Sequence, residues 1–305
     1  VAGYADTEGY TNNDAARPWA YFYRDYVIRS LNADKPFDVF LQEQLAGDEM
    51  VAPPYANLSP EAIEKLTATG FLRMAADGTG SGANAETARN QTMADTIKIV
   101  STSLLGLSVG CAQCHDHRYD PIPQADYYQL RAVFEPALDF QAWRTPDQRR
   151  VTLYTDEDRA AAAAVEEEAQ QIAAAKAKKQ QEYLDEALEQ ELTKHPEELR
   201  EPLRTAYKTA ADARTEEQKE LLAQHPSVNI SAGTLYQYNQ AHADELKEFD
   251  KRIGEVRAKK PVERFLRVLS EVPGQVPVTH VFYRGEIGQP TEAVGPAALT
   301  ISAPP

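Results

Sequence analysis

The 305 residues carry 47 acidic against 32 basic side chains, a formal net charge of −15. A chain this acidic has no electrostatic basis for gripping phosphate backbones, which excludes nucleic acid as an expected partner. No apolar run approaches the ~20 residues of a membrane span, and at about 150 residues per domain the length admits two domains, or one with a large insertion.

The chain opens at Val1 with neither an initiator methionine nor a signal peptide and closes on Pro304-Pro305, which reads as a piece of a longer polypeptide. Residues 1–16 are polar and rich in turn formers. From Arg17 the spacing predicts a helix with Tyr23, Val27 and Leu31 on one face. Asn32 to Pro36 breaks it, and Phe37, Phe40, Leu41 and Leu45 predict a second helix that stops at Gly47. After a proline-containing loop, Ser59 is an N-cap with Pro60 at the first helical position, and Gly70 ends that helix. Residues 75–85 lack the strand-to-helix context and the lysine of a phosphate loop and read as a connector. Met93, Ile97, Val100 and Leu104 then form one apolar helical stripe.

That stripe leads into Cys111-Ala112-Gln113-Cys114-His115, which holds the only two cysteines of the chain. C-x-x-C-H is the attachment pattern of haem c: two thiols add across the porphyrin vinyl groups, at a separation set by the macrocycle, and the following histidine faces the iron as proximal ligand. The same residues also admit a redox dithiol, half of a zinc site, or two buried thiols. A thioredoxin-like pair sits at the end of a strand, whereas a helical pattern precedes this one. A closed zinc site takes about four ligands, there is no second C-x-x-C, and Asp116 or His117 would complete one only with strained geometry. Haem attachment to such a motif takes place outside the cytoplasm, so a periplasmic or extracellular location is expected. Two cysteines spent on haem leave none for a disulfide.

Pro121 and Pro123 stop any helix after the motif, and Tyr127, Leu130 and Phe134 predict another. From Asp156 to Leu192 the composition is Ala, Glu, Gln and Lys, a good helix with little to bury beyond Leu184, Leu188 and Leu192. His195-Pro196 interrupts it. Thr215-Glu216-Glu217-Gln218 is a capping box opening a short helix. A last long helix is expected from about Ala232 to Ala258, striped by Leu235, Tyr238, His242, Leu246, Phe249, Ile253 and Val256. The pair predicts a projecting antiparallel helical hairpin or short coiled coil, a spacer or docking arm. Phe265, Leu266 and Leu269 suggest a short helix, and Val276, Val278, His280 and Phe282 alternate as a strand turned by Arg284-Gly285. The tail from Gln289 reads as the approach to a β-rich region. The expected fold is thus mainly α: a haem-binding helical domain over 1–150, a helical hairpin or coiled-coil insertion over 151–260, and a joining segment with a short strand over 261–305.

The run from Leu105 through Cys111-Ala112-Gln113-Cys114-His115-Asp116-His117-Arg118-Tyr119-Asp120-Pro121-Ile122 resembles the planctomycete-type cytochrome c domain family, whose pattern runs close to L-G-L-T-x-x-C-A-x-C-H-D-H-K-[FY]-D-P-I. Gln44-Leu45-Ala46-Gly47-Asp48, Ala68-Thr69-Gly70-Phe71-Leu72-Arg73, His225-Pro226-Ser227-Val228 and Thr279-His280-Val281-Phe282-Tyr283-Arg284-Gly285 look like the same family and its joining region to a second uncharacterised domain. Ser108 stands where threonine is usual and Arg118 where lysine is usual. The resemblance implies a large secreted bacterial protein with a covalent haem, held by Cys111 and Cys114 and ligated by His115.

The ligand on the other face of the iron would set the function. All three methionines, Met50, Met74 and Met93, precede the motif, so the downstream methionine of small cytochromes is excluded. Met93, His280 and His242 are the leading distal candidates, with His195 and His225 behind them and His117 too close to His115 to reach round. A six-coordinate iron would favour electron relay to a redox partner protein or domain, with other haem domains of the same assembly as further partners. Two other classes compete: a haem-dependent oxidase or peroxidase acting on a carbohydrate or small molecule, which needs an acid–base group over the open face, and a structural or interaction module stapled by haem.

Overall fold

The computed structural model describes residues 4–8, 14–79 and 85–302, and the chain divides into two compact units, residues 1–156 with 263–305, and residues 157–262. The protein is mainly helical, with two short antiparallel strand pairs. No helix among the described residues is long and apolar enough to cross a membrane.

In the first unit α1 (Tyr21–Asn32), α2 (Phe37–Ala46) and α3 (Pro60–Ala68) precede α4 (Ala85–Val100) and α5 (Gln124–Phe134). Ser59 caps α3, its hydroxyl accepting from the Ala62 amide at 3.2 Å, and a 3₁₀ turn over Thr69–Arg73 follows. The inner face of α1 is not the one its aliphatic spacing predicts. Tyr23, Tyr26 and Ser30 are buried, while Leu31 is 69% exposed. The tyrosine hydroxyls decide this: Tyr23 Oη donates to Gln44 Oε1 at 2.6 Å and Tyr26 Oη to Glu43 Oε2 at 2.8 Å, both on α2. Burying a phenol beside an acceptor satisfies its hydroxyl as burial removes water. Residues 80–84 of the expected connector lie outside the described residues.

The core of this unit gathers Met93, Ile97 and Val100 of α4, Tyr127 and Phe134 of α5, Phe71 and Leu72 after α3, and Val281 and Phe282 near the C-terminus. The segment from Glu263 onward thus belongs to the first unit. Leu269 N donates to Thr69 Oγ1 at 3.1 Å, and Thr300 N to Asp126 Oδ2 at 2.8 Å. The short helix expected at Phe265–Leu269 is instead a strand, β2 (Phe265–Arg267), paired antiparallel with β1 (Arg150–Thr152), Val151 opposite Leu266. Spacing in so short an apolar run fits either element; the backbone donors and acceptors of 150–152 settle it. The third strand, β3 (Thr279–Phe282), begins after Val276 and Val278, which are exposed. It pairs with β4 (Pro290–Val294), so the tail that reads as an approach to a β region returns onto β3.

In the second unit α6 (Asp156–Leu192) and α9 (Gln240–Arg257) run antiparallel, tied by Glu166–Arg257 at 2.7 Å, Lys176–Asp250 at 2.5 Å and Tyr183 Oη–Glu245 at 2.5 Å. The last helix starts at Gln240 rather than Ala232, because Asn239 Oδ1 accepts from the amides of Ala241 and His242 and fixes an N-terminus there. Between them lie α7 (Glu197–Lys208), which carries Pro202 inside it, and α8 (Glu216–Gln224), opened by the reciprocal Thr215–Gln218 capping box. Leu188, Leu192, Leu203, Leu222, Leu235 and Leu246 close a small core there.

Candidate functional site

The approach to Cys111 is set by backbone geometry. After Val100, α4 widens into a single π turn over Ser101–Leu105 and is closed by Gly106, whose φ of 67° is left-handed, a conformation that favours glycine. A 3₁₀ turn, Val109–Gln113, follows. In a 3₁₀ turn residues three apart eclipse one another, which sorts this sequence into two faces. Val109 and Ala112 are fully buried in the core, whereas Cys111 and Cys114 are free thiols, both exposed. Both thiols are thus at the surface, with the apolar pair Val109 and Ala112 as the anchor beneath.

His115 is exposed, and its Nδ1 lies 2.7 Å from the carbonyl oxygen of Asp116. A carbonyl only accepts, so Nδ1 carries the proton and the lone pair resides on Nε2. This is the arrangement that metal-ligating imidazoles adopt, with the far nitrogen donating to a carbonyl that fixes tautomer and orientation. His117 has the opposite assignment. Its Nδ1 accepts from the amides of Asp120 at 2.8 Å and Tyr119 at 3.2 Å, leaving Nε2 to donate to Ser108 Oγ at 3.0 Å. Both nitrogens are spent on the loop, so His117 is its staple.

Two further elements hold the turn. Asp116 Oδ1 accepts from the first amide of α5, Gln124, at 2.7 Å, placing a carboxylate at the positive end of that helix. Gln124 Nε2 donates both to the Gln113 carbonyl and to the Phe282 carbonyl, each at 3.0 Å, and Tyr128 Oη also donates to Gln113 O, at 2.9 Å. Burial pushes the Tyr128 phenol up to about 12 and raises that of Tyr127 as well, so both stay neutral across the ordinary pH range, Tyr128 as the donor to Gln113 O. The turn after β3 then passes over the motif. A Cβ at Gly285, where φ is +74°, would lie 2.7 Å from Cys114 Sγ, closer than real contacts allow. Neither Gly285 nor Gln124 is identifiable as a motif contact from sequence. Arg284-Gly285 is legible as a turn, but its destination 170 residues back is a property of the β3–α5 packing.

Of the distal candidates, Met93 is wholly inside the core of the first unit. His280 lies half-buried on β3, lining a cleft of about 740 Å³. His242 belongs to the second unit, stacked on Tyr183 at 3.8 Å between ring centroids and 3.8 Å from Glu186. His195 and His225 sit edge to face with each other, also in the second unit. Among the described residues no group of three or more His, Cys, Asp or Glu side chains is arranged to hold a metal ion. A porphyrin iron brings four nitrogens of its own and asks the chain for one proximal donor, which the free Nε2 of His115 can be. The donor chemistry of the turn, two exposed thiols and one tautomer-fixed imidazole, fits such a group. A cleft of about 340 Å³ bounded by Cys111, Gly110, Lys98 and Ser101 opens beside the first thiol.

These features define the class: a mainly helical protein whose first unit displays a C-x-x-C-H turn pinned by α5 and by the turn after β3. Residues 1–138, which take in α1 to α5 and the motif, match the family model described as "PSCyt2: Protein of unknown function (DUF1549)". No curated protein and no solved structure matches the chain.

Proposed function

We propose that this chain is a c-type cytochrome module that binds one covalent haem and relays electrons within a larger secreted protein or complex. Cys111 and Cys114 hold the group by thioether bonds, and His115 Nε2 ligates its iron. The Asp116 carbonyl keeps that imidazole in the ligating tautomer, and Gln124 and Tyr128 fix the backbone between the thiols. Bound there, haem c supplies a one-electron couple. The observation that carries the reading is the His115 Nδ1–Asp116 O hydrogen bond directly after two exposed free thiols; the cytochrome label in the matching family's name accords with it. A redox partner protein or domain and a periplasmic or extracellular location complete the proposal.

The test is a haem stain on denatured protein matured by a c-type assembly system, together with intact mass. Retained haem and a mass increase of one porphyrin are expected, both lost in Cys111→Ala/Cys114→Ala. Bare thiols in such material would refute the proposal. The relay itself predicts sharp low-spin bands in the reduced protein and no carbon monoxide binding; rapid binding would turn the assignment to an oxidase or peroxidase.

A further inference from the structure

Two neighbouring imidazoles of the second unit have no polar partner among the described residues. His195 lies just beyond the C-terminal end of α6, and His225 directly follows α8. Each precedes a proline, which restricts its backbone. Their ring centroids are 5.0 Å apart, with the planes at 88°. His195 Nε2 is buried without a hydrogen-bond partner, and the His225 ring takes part in no hydrogen bond or ion pair among the described residues. Other histidines are already engaged: His115 and His117 are held by the motif loop, and His242 lies 3.8 Å from Glu186.

A buried ring nitrogen left unserved costs free energy unless a partner arrives from outside the chain. The separation of the rings says what that partner is. Two imidazoles on one tetrahedral ion, with metal–nitrogen bonds of about 2.0–2.1 Å, hold their centroids roughly 5 Å apart. The backbones are fixed before any ion arrives. His195 N donates to Leu192 O at 3.1 Å, and its carbonyl accepts from Arg200 Nε at 2.9 Å. His225 N donates to Leu221 O, and its carbonyl accepts from Val228 N, each at 3.1 Å. Both rings stand at helix C-termini, whose partial negative charge favours a cation. Glu191 adds to it. Burial raises its carboxyl, but the Lys194 ammonium at 2.6 Å, with Ser227 and His195 behind it, outweighs burial and holds it below the ordinary range, so it is ionised. Glu191 is not a third ligand, since no three such side chains are grouped for a metal among the described residues.

We propose that His195 and His225 bind one divalent transition-metal ion of the zinc and copper class, with water completing its coordination. Imidazole suits these ions, whereas magnesium and calcium take oxygen ligands. The ion ties the end of α6 to the end of α8 and so braces the small leucine core beside them, where Leu192 and Leu222 meet. A plain edge-to-face contact between the rings leaves His195 Nε2 unserved and predicts no dependence on metal. The pair belongs to the second unit, so the site needs no haem.

The experiment is calorimetric titration of the full 305-residue chain with zinc chloride, after Cys111 and Cys114 have been carbamidomethylated so that the motif thiols take no metal. Zinc should bind and raise the melting midpoint. Histidine labelling with diethyl pyrocarbonate, read by peptide mass, identifies the ligands without any substitution: zinc should slow modification of His195 and His225 several-fold and leave His280 unchanged. His195→Gln and His225→Gln should each weaken zinc at least about tenfold, the scale of a disturbed metal site. Magnesium at about 10 mM should not displace it. Where a variant fails to fold, labelling of the parent chain decides. Absence of any heat with zinc overturns the proposal. So does protection that omits either histidine, or unchanged affinity in the folded variants.

Discussion

At the scale of single residues the motif depends on positions far from it in sequence. Gly285 combines a left-handed backbone with a position where an added Cβ would lie 2.7 Å from the Cys114 sulfur. Gly285→Ala should therefore cost roughly 1–3 kcal/mol, the scale of a strained backbone position, and should change the alkylation rate of Cys114 relative to Cys111; a urea midpoint indistinguishable from the parent would show that the turn yields freely. The buried pair Arg73–Asp77, 3.0 Å apart, behaves differently. Burial raises the Asp77 carboxyl, but Arg73 and the Thr79 hydrogen bonds outweigh it, and the net direction is downward from 3.8. A carboxyl lowered on folding adds stability above its unfolded value and loses it as pH falls below about 3.8 through the folded value. Asp77→Asn leaves Arg73 buried without its counter-charge and should cost about 3–5 kcal/mol by chemical denaturation.

The tyrosines give the complementary alkaline limit. Burial raises Tyr23, Tyr26 and Tyr127 and puts Tyr128 at about 12 against an ordinary 10.0. The folded chain holds these protons more tightly than the unfolded one, so the stability they carry is complete below pH 10 and is lost as pH rises toward 12. Urea midpoints should be level through pH 9 and fall beyond it, with tyrosinate absorbance lagging a free-tyrosine control.

At the scale of elements, helix ends are where short-range chemistry decides the outcome. Ser59 with Pro60, and Thr215 with Gln218, open helices where the sequence pattern places them, because a cap needs only the side chain three residues away. Thr215→Ala should cost about 1 kcal/mol in thermal unfolding, with Thr215→Ser close to neutral. Asn239 carries the same chemistry, yet the apolar stripe running back to Leu235 obscures it, and only the structure shows α9 starting at Gln240. Strands fare worse than helices. Phe265–Arg267 has no local partner; its ladder lies at Arg150–Thr152, and no window of neighbouring residues contains both.

At the scale of the whole molecule that ladder also brings the ends of the second unit together. Thr152 Oγ1 donates to Glu263 at 2.7 Å, and Leu153 N donates to Arg264 O at 2.8 Å. Residues 157–262 thus leave and rejoin the first unit at adjacent points, as a tolerated insertion does. Replacing them with a short Gly-Ser linker should leave the first unit folded, with a cooperative melt and intact tyrosine burial; a molten product would show that the first unit needs the second.

What the sequence determined by itself is what short-range rules can carry. These are the acidic balance, the helical composition of 156–192, the caps, and the C-x-x-C-H pattern with its cysteine spacing. Tertiary structure decided which face of α1 is inside, because tyrosine hydroxyls seek buried acceptors on a neighbouring helix. It decided that 263–302 completes the first unit, because strand pairing is indifferent to sequence separation. It also decided that Gly285 sits against Cys114 and that Gln124 spans the Gln113 and Phe282 carbonyls, since contacts between distant segments are fixed by packing and leave no local pattern to read.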